Sequence, residues 1–265
     1  MSTLVPTPNP VPVPGQPSGA GTYYPGHPYA NGAPAGPFGN HATLADNLVS
    51  YWTFDEASGT RFDSHGSNDL TDNNTVTSST GVQGNAASFL ATNSEYLSLA
   101  SGISELDDQF TIAGWVKQSS YVSEAGLFAN GADGDMGFRV TMNVVGNGDL
   151  LVRPVISATN TENLYGYTTT GVLPTGSWVY VLITYDGSDG TASNRLKVYI
   201  NDTLTGTTKN GTHPTSIRVG GSFRIGRGGD ANYTTSLYDE VSIWSRILTL
   251  DERAALYNAG AGLTY

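Results

Sequence analysis

Residues 237–260 read LYDEVSIWSRILTLDERAALYNAG, and two periodicities meet inside them. Up to Arg246, Val241 and Ile243 alternate with polar neighbours ahead of Trp244, the pattern of a strand with a buried face. From Thr249 the spacing changes. Thr249 and Glu252 form a Ser/Thr-x-x-Glu capping box and Gly260 offers a left-handed stop, so a helix is predicted over 249–258, packing Leu250, Ala254 and Tyr257 against a sheet end. A strand that leads directly into one short capped helix points to an all-β domain with a terminal helix.

Upstream, WVYVLITYD (178–186) runs into a Gly/Asp turn and then RLKVYIND (195–202), where Asn201-Asp202 starts a tight return hairpin. Further short apolar or alternating segments lie at 48–54, 86–90, 95–99, 110–117, 125–130, 137–145, 150–156 and 222–227, separated by Gly, Asn, Asp and Ser clusters. That is the signal of a sandwich or barrel. Trp52, Trp115, Trp178 and Trp244 all sit in such segments and are expected in the core.

The chain has 265 residues, 12 Lys+Arg against 23 Asp+Glu, a net charge of -11 and no cysteine. Phosphate binding depends on the cations that are scarce here, so a general role on nucleic acid or an anionic membrane is excluded. A disulfide-stapled scaffold is excluded as well, and no apolar run approaches the roughly 20 residues that cross a bilayer. The start, MSTLVPTPNPVPVPGQPSG, has neither the basic region nor the apolar stretch of a secretory signal, and membrane insertion is not expected.

Charge divides the chain. No Asp, Glu, Lys or Arg occurs before Asp46, which sets a Pro/Gly-rich extended arm over 1–45 apart from a β domain over 46–265. Pro6, Pro8, Pro10, Pro12 and Pro14 bias the arm toward polyproline II, and Tyr23, Tyr24, Tyr29 and Phe38 supply anchors. Such a segment loses little entropy when it docks, which suits it to lie across a neighbouring subunit of a homo-oligomer or larger assembly.

Several phrases, in order, resemble one family: NLVSYWTFDEASGTRFDSHGSNDLT, AASFLATNSEYLSL, FTIAGWVK, GSWVYVLITYDGSDG, RLKVYINDTLTG, FRIGR and LYDEVSIWSRILTLDERAALYNAG. They are similar to a laminin G-like domain of the concanavalin A-like jelly-roll superfamily over about 47–260. The resemblance implies an antiparallel jelly-roll β-sandwich and a lectin-type surface, and it leaves activity open because the matching positions are mostly core and turn residues.

Glycoside hydrolases share this superfold and need paired carboxylates. The nearest approach to Glu-x-Asp-x-x-Glu begins at Glu105, with Phe110 in place of the second Glu, and Asp239-Glu240 are expected to face opposite ways on a strand. Hydrolysis is therefore the least favoured reading. His27, His41, His65 and His213 are isolated and do not suggest zinc. Calcium is the cofactor the loops could take, since it needs roughly six to eight oxygens. By the resemblance its ligands would come from Asp133, Asp135 and Asp230, with the loop Asp63–Asp69 as a second candidate. For a glycan, the candidates are Tyr233 beside Asp230 and Asn232, together with Tyr121 and Tyr165.

An exterior lectin-type domain without a visible export signal, carried behind a docking arm, fits a virus particle assembled inside the cell. The sequence thus leads to a non-enzymatic phage capsid or tail decoration protein on the virion surface, touching neighbouring capsid or tail subunits and surface glycans. A secreted or bacterial cell-surface carbohydrate-binding protein is the alternative.

Overall fold

The computed structural model describes residues 41–132, 135–154, 165–229 and 231–263; the arm residues Pro6, Pro8, Pro10, Pro12, Pro14, Tyr23, Tyr24, Tyr29 and Phe38 lie outside them. The strands are β1 (Leu48–Trp52), β2 (Thr71–Asn73), β3 (Thr77–Thr80), β4 (Asn85–Phe89), β5 (Tyr96–Leu99), β6 (Gln109–Gln118), β7 (Ala125–Ala132) and β8 (Asp135–Met142). They continue as β9 (Leu150–Pro154), β10 (Tyr165–Thr168), β11 (Val179–Asp186), β12 (Leu196–Ile200), β13 (Thr203–Thr205), β14 (Thr207–Asn210), β15 (Ser222–Ile225) and β16 (Ser236–Trp244), followed by helix α1 (Leu250–Tyr257).

Two eight-stranded antiparallel sheets result. The first runs β13-β12-β11-β6-β16-β4-β3 with β1 added on β16, and the second runs β14-β10-β9-β8-β7-β15-β5-β2. Facing side chains of the two sheets build the main core, where Trp52 stacks on Phe223 at 5.6 Å and Phe110 meets Phe138 edge-on at 5.1 Å. Each expected strand is present in this jelly-roll sandwich. The strands that periodicity did not disclose are β2, β3, β10, β13 and β14, short and rich in Thr, Ser, Asn and Gly. Four of them close the sheet edges, where little is buried and no apolar alternation is required.

A second apolar cluster lies on the outer face of the first sheet, joining Tyr51, Ala113, Trp115, Tyr180, Leu182 and Trp244 to Leu256 of α1. It also takes in Leu44, fully buried, whose carbonyl accepts a 2.7 Å hydrogen bond from Trp244 Nε1. The packed unit therefore begins before Asp46, and the charge boundary is not the folding boundary.

The capping box of α1 is present, with Thr249 Oγ1 accepting from the Glu252 amide and the Glu252 carboxylate accepting from the Thr249 amide. Its orientation differs from expectation. Leu250 and Ala254 face solvent while Glu252 and Leu256 are buried, because Arg246 holds the Glu252 carboxylate at 2.7 Å and turns that side of the helix inward. Tyr257 does pack inward, stacked on Trp115 at 5.8 Å. The helix stops at Asn258, φ 45°, rather than at Gly260. Trp178 is only partly buried and precedes β11, in contrast to Trp52, Trp115 and Trp244.

A bulge in β16 overturns the expected alternation at Asp239-Glu240. Pairing with β6 shifts between Asp239 and Ser242, Glu240 takes φ 52°, and Gly114 opposite leaves room that a Cβ would close, 2.7 Å from Val241 Cγ2. Asp239 and Glu240 consequently share the outer face.

Candidate functional site

The second sheet presents a different outer face. Along β8, Phe138, Val140 and Met142 enter the core, so Arg139 and Thr141 point outward; along β9, Leu150 and Val152 go in and Leu151 and Arg153 go out. Register aligns these outward residues. Arg139 lies directly across from Arg153 and Thr141 across from Leu151, and Leu151 in turn faces Tyr167 of β10. Continuing that register brings Tyr165 abreast of Arg153. The rings of Tyr165 and Tyr167 are 5.8 Å apart on this face, both partly exposed.

Arg139, Thr141, Leu151 and Arg153 floor a cleft of about 280 Å³, walled by Glu124, Val144 and Asn232. The wall stands close because Gly126 lacks a side chain: a Cβ there would fall 1.7 Å from the Gly228 amide, and the Gly126 amide donates to the Asn232 carbonyl at 3.0 Å. Asn232 Nδ2 then donates to Glu124 Oε2 at 3.3 Å, fixing an acceptor at the rim. Beyond the other wall, His213 Nε2 donates to the Tyr165 carbonyl at 3.2 Å, and burial holds this imidazole below its usual pKa.

Of the residues singled out for sugar binding, Asn232 lines this cleft and Tyr165 stands beyond its floor, abreast of Arg153 by register. Tyr233 belongs to a neighbouring group, with its ring 6.0 Å from that of Tyr96 and the Arg227 guanidinium over both. Tyr121 is exposed in the loop before β7, which Asn143 pins through the Val122 carbonyl at 2.9 Å. Asp230 lies outside the described residues. Arg139, Thr141 and Arg153 were not singled out by sequence, although Arg139 and Thr141 alternate with Phe138, Val140 and Met142 in GFRVTM, and Arg153 follows Val152 in LLVRP.

Asp133 and Asp230 lie outside the described residues, and of Asp135 only the backbone, at the start of β8, is described. Among the described residues no three His, Asp or Glu gather to hold a metal. The second calcium candidate does not fit a cation. Asp63 already accepts from the backbone amides of Tyr51, His65, Gly66 and Asn68 at 2.9–3.1 Å, an arrangement that ties its loop to β1 and leaves its oxygens turned to N–H groups.

The carboxylates considered for catalysis are also engaged. Asp239 is buried and accepts from the Val82 and Gln83 amides at 2.6 and 3.0 Å; burial pushes its pKa up to about 7 despite those donors. Glu240 accepts from the Tyr51 hydroxyl. Glu105 lines a larger opening of about 690 Å³ at the sandwich end, where it is the only ionisable side chain among the lining residues. No helix among the described residues is long and apolar enough to cross a membrane.

Solved structures with similar folds place this geometry in context. Domain 4 of AbnA, an extracellular arabinanase from Geobacillus stearothermophilus determined with arabinotriose, superposes with a TM-score of 0.55 at 20% identity, covering 78% of this chain and 96% of that one. The binding domain of Paraclostridial mosquitocidal protein 1 gives 0.61 at 15% identity, covering 82% and 53%. Trypanosoma rangeli sialidase gives 0.58 at 12% identity, covering 82% of this chain and 34% of that one. No curated protein matches by sequence. Residues 90–252 match the family model of the concanavalin A-like lectin/glucanases superfamily, with its laminin G-type signature, and the chain belongs to that family.

Proposed function

We propose that this chain is a non-catalytic glycan-binding display module, held in a larger particle by its N-terminal arm and presenting the sandwich outward. The juxtaposition on the second sheet carries the reading: two tyrosine rings side by side, next to a cleft with guanidinium and hydroxyl donors on its floor and a fixed carboxylate acceptor at its rim. Sugars need an apolar face to stack on and directional polar groups around it, and both stand on rigid strands here. A domain of the same fold solved with arabinotriose supports the same use of the scaffold. The engaged state of Asp239 and Glu240, and the lone Glu105 in its opening, favour binding over hydrolysis.

Placement on a virion rests on the sequence of the arm, uncharged and punctuated by Pro and aromatic residues, whose partners would be neighbouring capsid or tail subunits in a symmetric assembly. Glycan-array binding of the full chain is expected, and weakening by at least tenfold in a Tyr165→Ala/Tyr167→Ala variant that keeps its melting temperature. Unchanged binding in that variant rejects the site. Loss of binding in a chelator would bring calcium, through Asp133, Asp135 and Asp230, into the mechanism. Mass spectrometry of gradient-purified virions should find the chain; its presence only in culture fluid or on bacterial cells would replace the virion by a secreted or surface adhesin.

A further inference from the structure

Resting on that reading, we propose that the cleft selects acidic sugars, taking the anionic group of the residue that stacks on Tyr165 and Tyr167 between Arg153, Arg139 and Thr141. Arg139 and Arg153 are direct cross-strand neighbours and both line the cleft, which places two guanidinium groups side by side on its floor. The same row continues through Ala129 to Arg224, so three of only 12 cationic side chains in a chain of net charge -11 stand in one line.

Hydrogen-bonding capacity points the same way. Thr141 is 4% exposed and its Oγ1 has no hydrogen-bond partner, and Arg153 Nε is likewise buried without one. Both line the cleft. A buried donor without a partner keeps its desolvation cost, which a bound acceptor removes. A planar carboxylate, or the oxygens of a sulfate ester, would accept from the guanidinium fork and the hydroxyl together. Glu124 at the rim, held by Asn232, then has a distinct use: it accepts from sugar hydroxyls and repels a second anion, which favours a sugar bearing one charge over a polyphosphate.

The test is an array of neutral, carboxylated and sulfated glycans with the full chain, followed by calorimetry on the best acidic glycan and its neutral counterpart. Acidic glycans should bind at least tenfold more tightly, with the carboxylated and sulfated arms telling which anion is preferred. Arg153→Gln and Thr141→Val should each reduce that ratio, Arg153→Gln toward one, while Tyr167→Ala weakens both ligands alike. Neutral glycans binding as well as acidic ones, or a ratio unchanged in Arg153→Gln, overturns the selectivity and leaves the glycan site standing. No binding anywhere on the array overturns both.

Discussion

The outer faces of the two sheets obey the same alternation and have opposite fates. On β6 and β11 the outward residues are Ala113, Trp115, Tyr180 and Leu182, and the chain covers them with Leu44, Trp244 and Leu256 to form a second core. On β8 and β9 the outward residues are Arg139, Thr141, Leu151 and Arg153, and there the chain builds a polar cleft. Strand pairing is common to both faces; among the described residues, the outward side chains decide whether an apolar cover or a polar cleft forms there. Stability should therefore concentrate on the first face and recognition on the second, and substitutions can separate the two.

The largest effect is expected at Trp244. Trp244→Ala removes a fully buried ring from the second core and leaves the Leu44 carbonyl without its donor, a loss of about 3–5 kcal/mol. Calorimetry should show a melting temperature lower by roughly 6 °C or more. A shift of a degree or two would mean that this face is a loose cover and that the comparison is wrong.

Next comes Arg246, which ties α1 to the chain before β1. Its guanidinium donates to the Thr43 and Asp46 carbonyls at 2.6 and 2.7 Å and to both Glu252 oxygens. The Arg246 hydrogen bond is the main cause that pulls the Glu252 pKa from 4.5 down to about 2. A carboxylate with a depressed folded-state pKa stabilises above its unfolded value and loses that contribution as pH falls from 4.5 to about 2. Arg246→Ala should cost about 2 kcal/mol at neutral pH and flatten the acid limb of the stability curve below pH 4.5. An acid limb identical to the parent protein would assign the low pKa to the Thr249 contacts instead.

These two anchors show what the sequence could and could not disclose. The capping box was legible because Thr249 and Glu252 act within one turn, whereas the partner that orients the helix, Arg246, acts on Glu252 from outside it and cancels the expected Leu250/Ala254 face. The strands β6, β11 and β16 were legible because burial on one or both faces imposes apolar patterning, while the edge strands β2, β3, β13 and β14 carry no such demand. The bulge at Glu240 left no mark except Gly114 on the partner strand, a long-range relation that local spacing does not encode. Likewise Tyr165 and Asn232 were visible singly, but only the register of β8, β9 and β10 assembles the floor between them.

A smaller effect separates Asp239 from the cleft. Its folded pKa, raised to about 7 by burial, means that the folded state keeps a proton the unfolded chain has released, so its contribution is present below pH 3.8 and is lost as pH rises to about 7. His213, held low by burial, acts in the opposite sense, losing stability as pH falls through 6.5. Asp239→Asn should remove the first slope and leave the second, so the melting-temperature difference between parent and variant is larger at pH 5 than at pH 8, by a few degrees. Parallel curves would mean that Asp239 is ionised across this range.

The smallest effect on folding belongs to the residue expected to decide which glycan binds. Arg153 makes no contact with the second core and lies on a partly exposed strand face, so Arg153→Gln should change stability by less than about 0.5 kcal/mol. A melting temperature lowered by several degrees would make this arginine part of the architecture, and the second sheet's outer face would then differ from the first in composition only. If stability holds while acidic-sugar preference disappears, the two faces are different in kind: one commits its outward residues to the fold, and the other holds the Arg153 guanidinium and the Thr141 hydroxyl for a ligand.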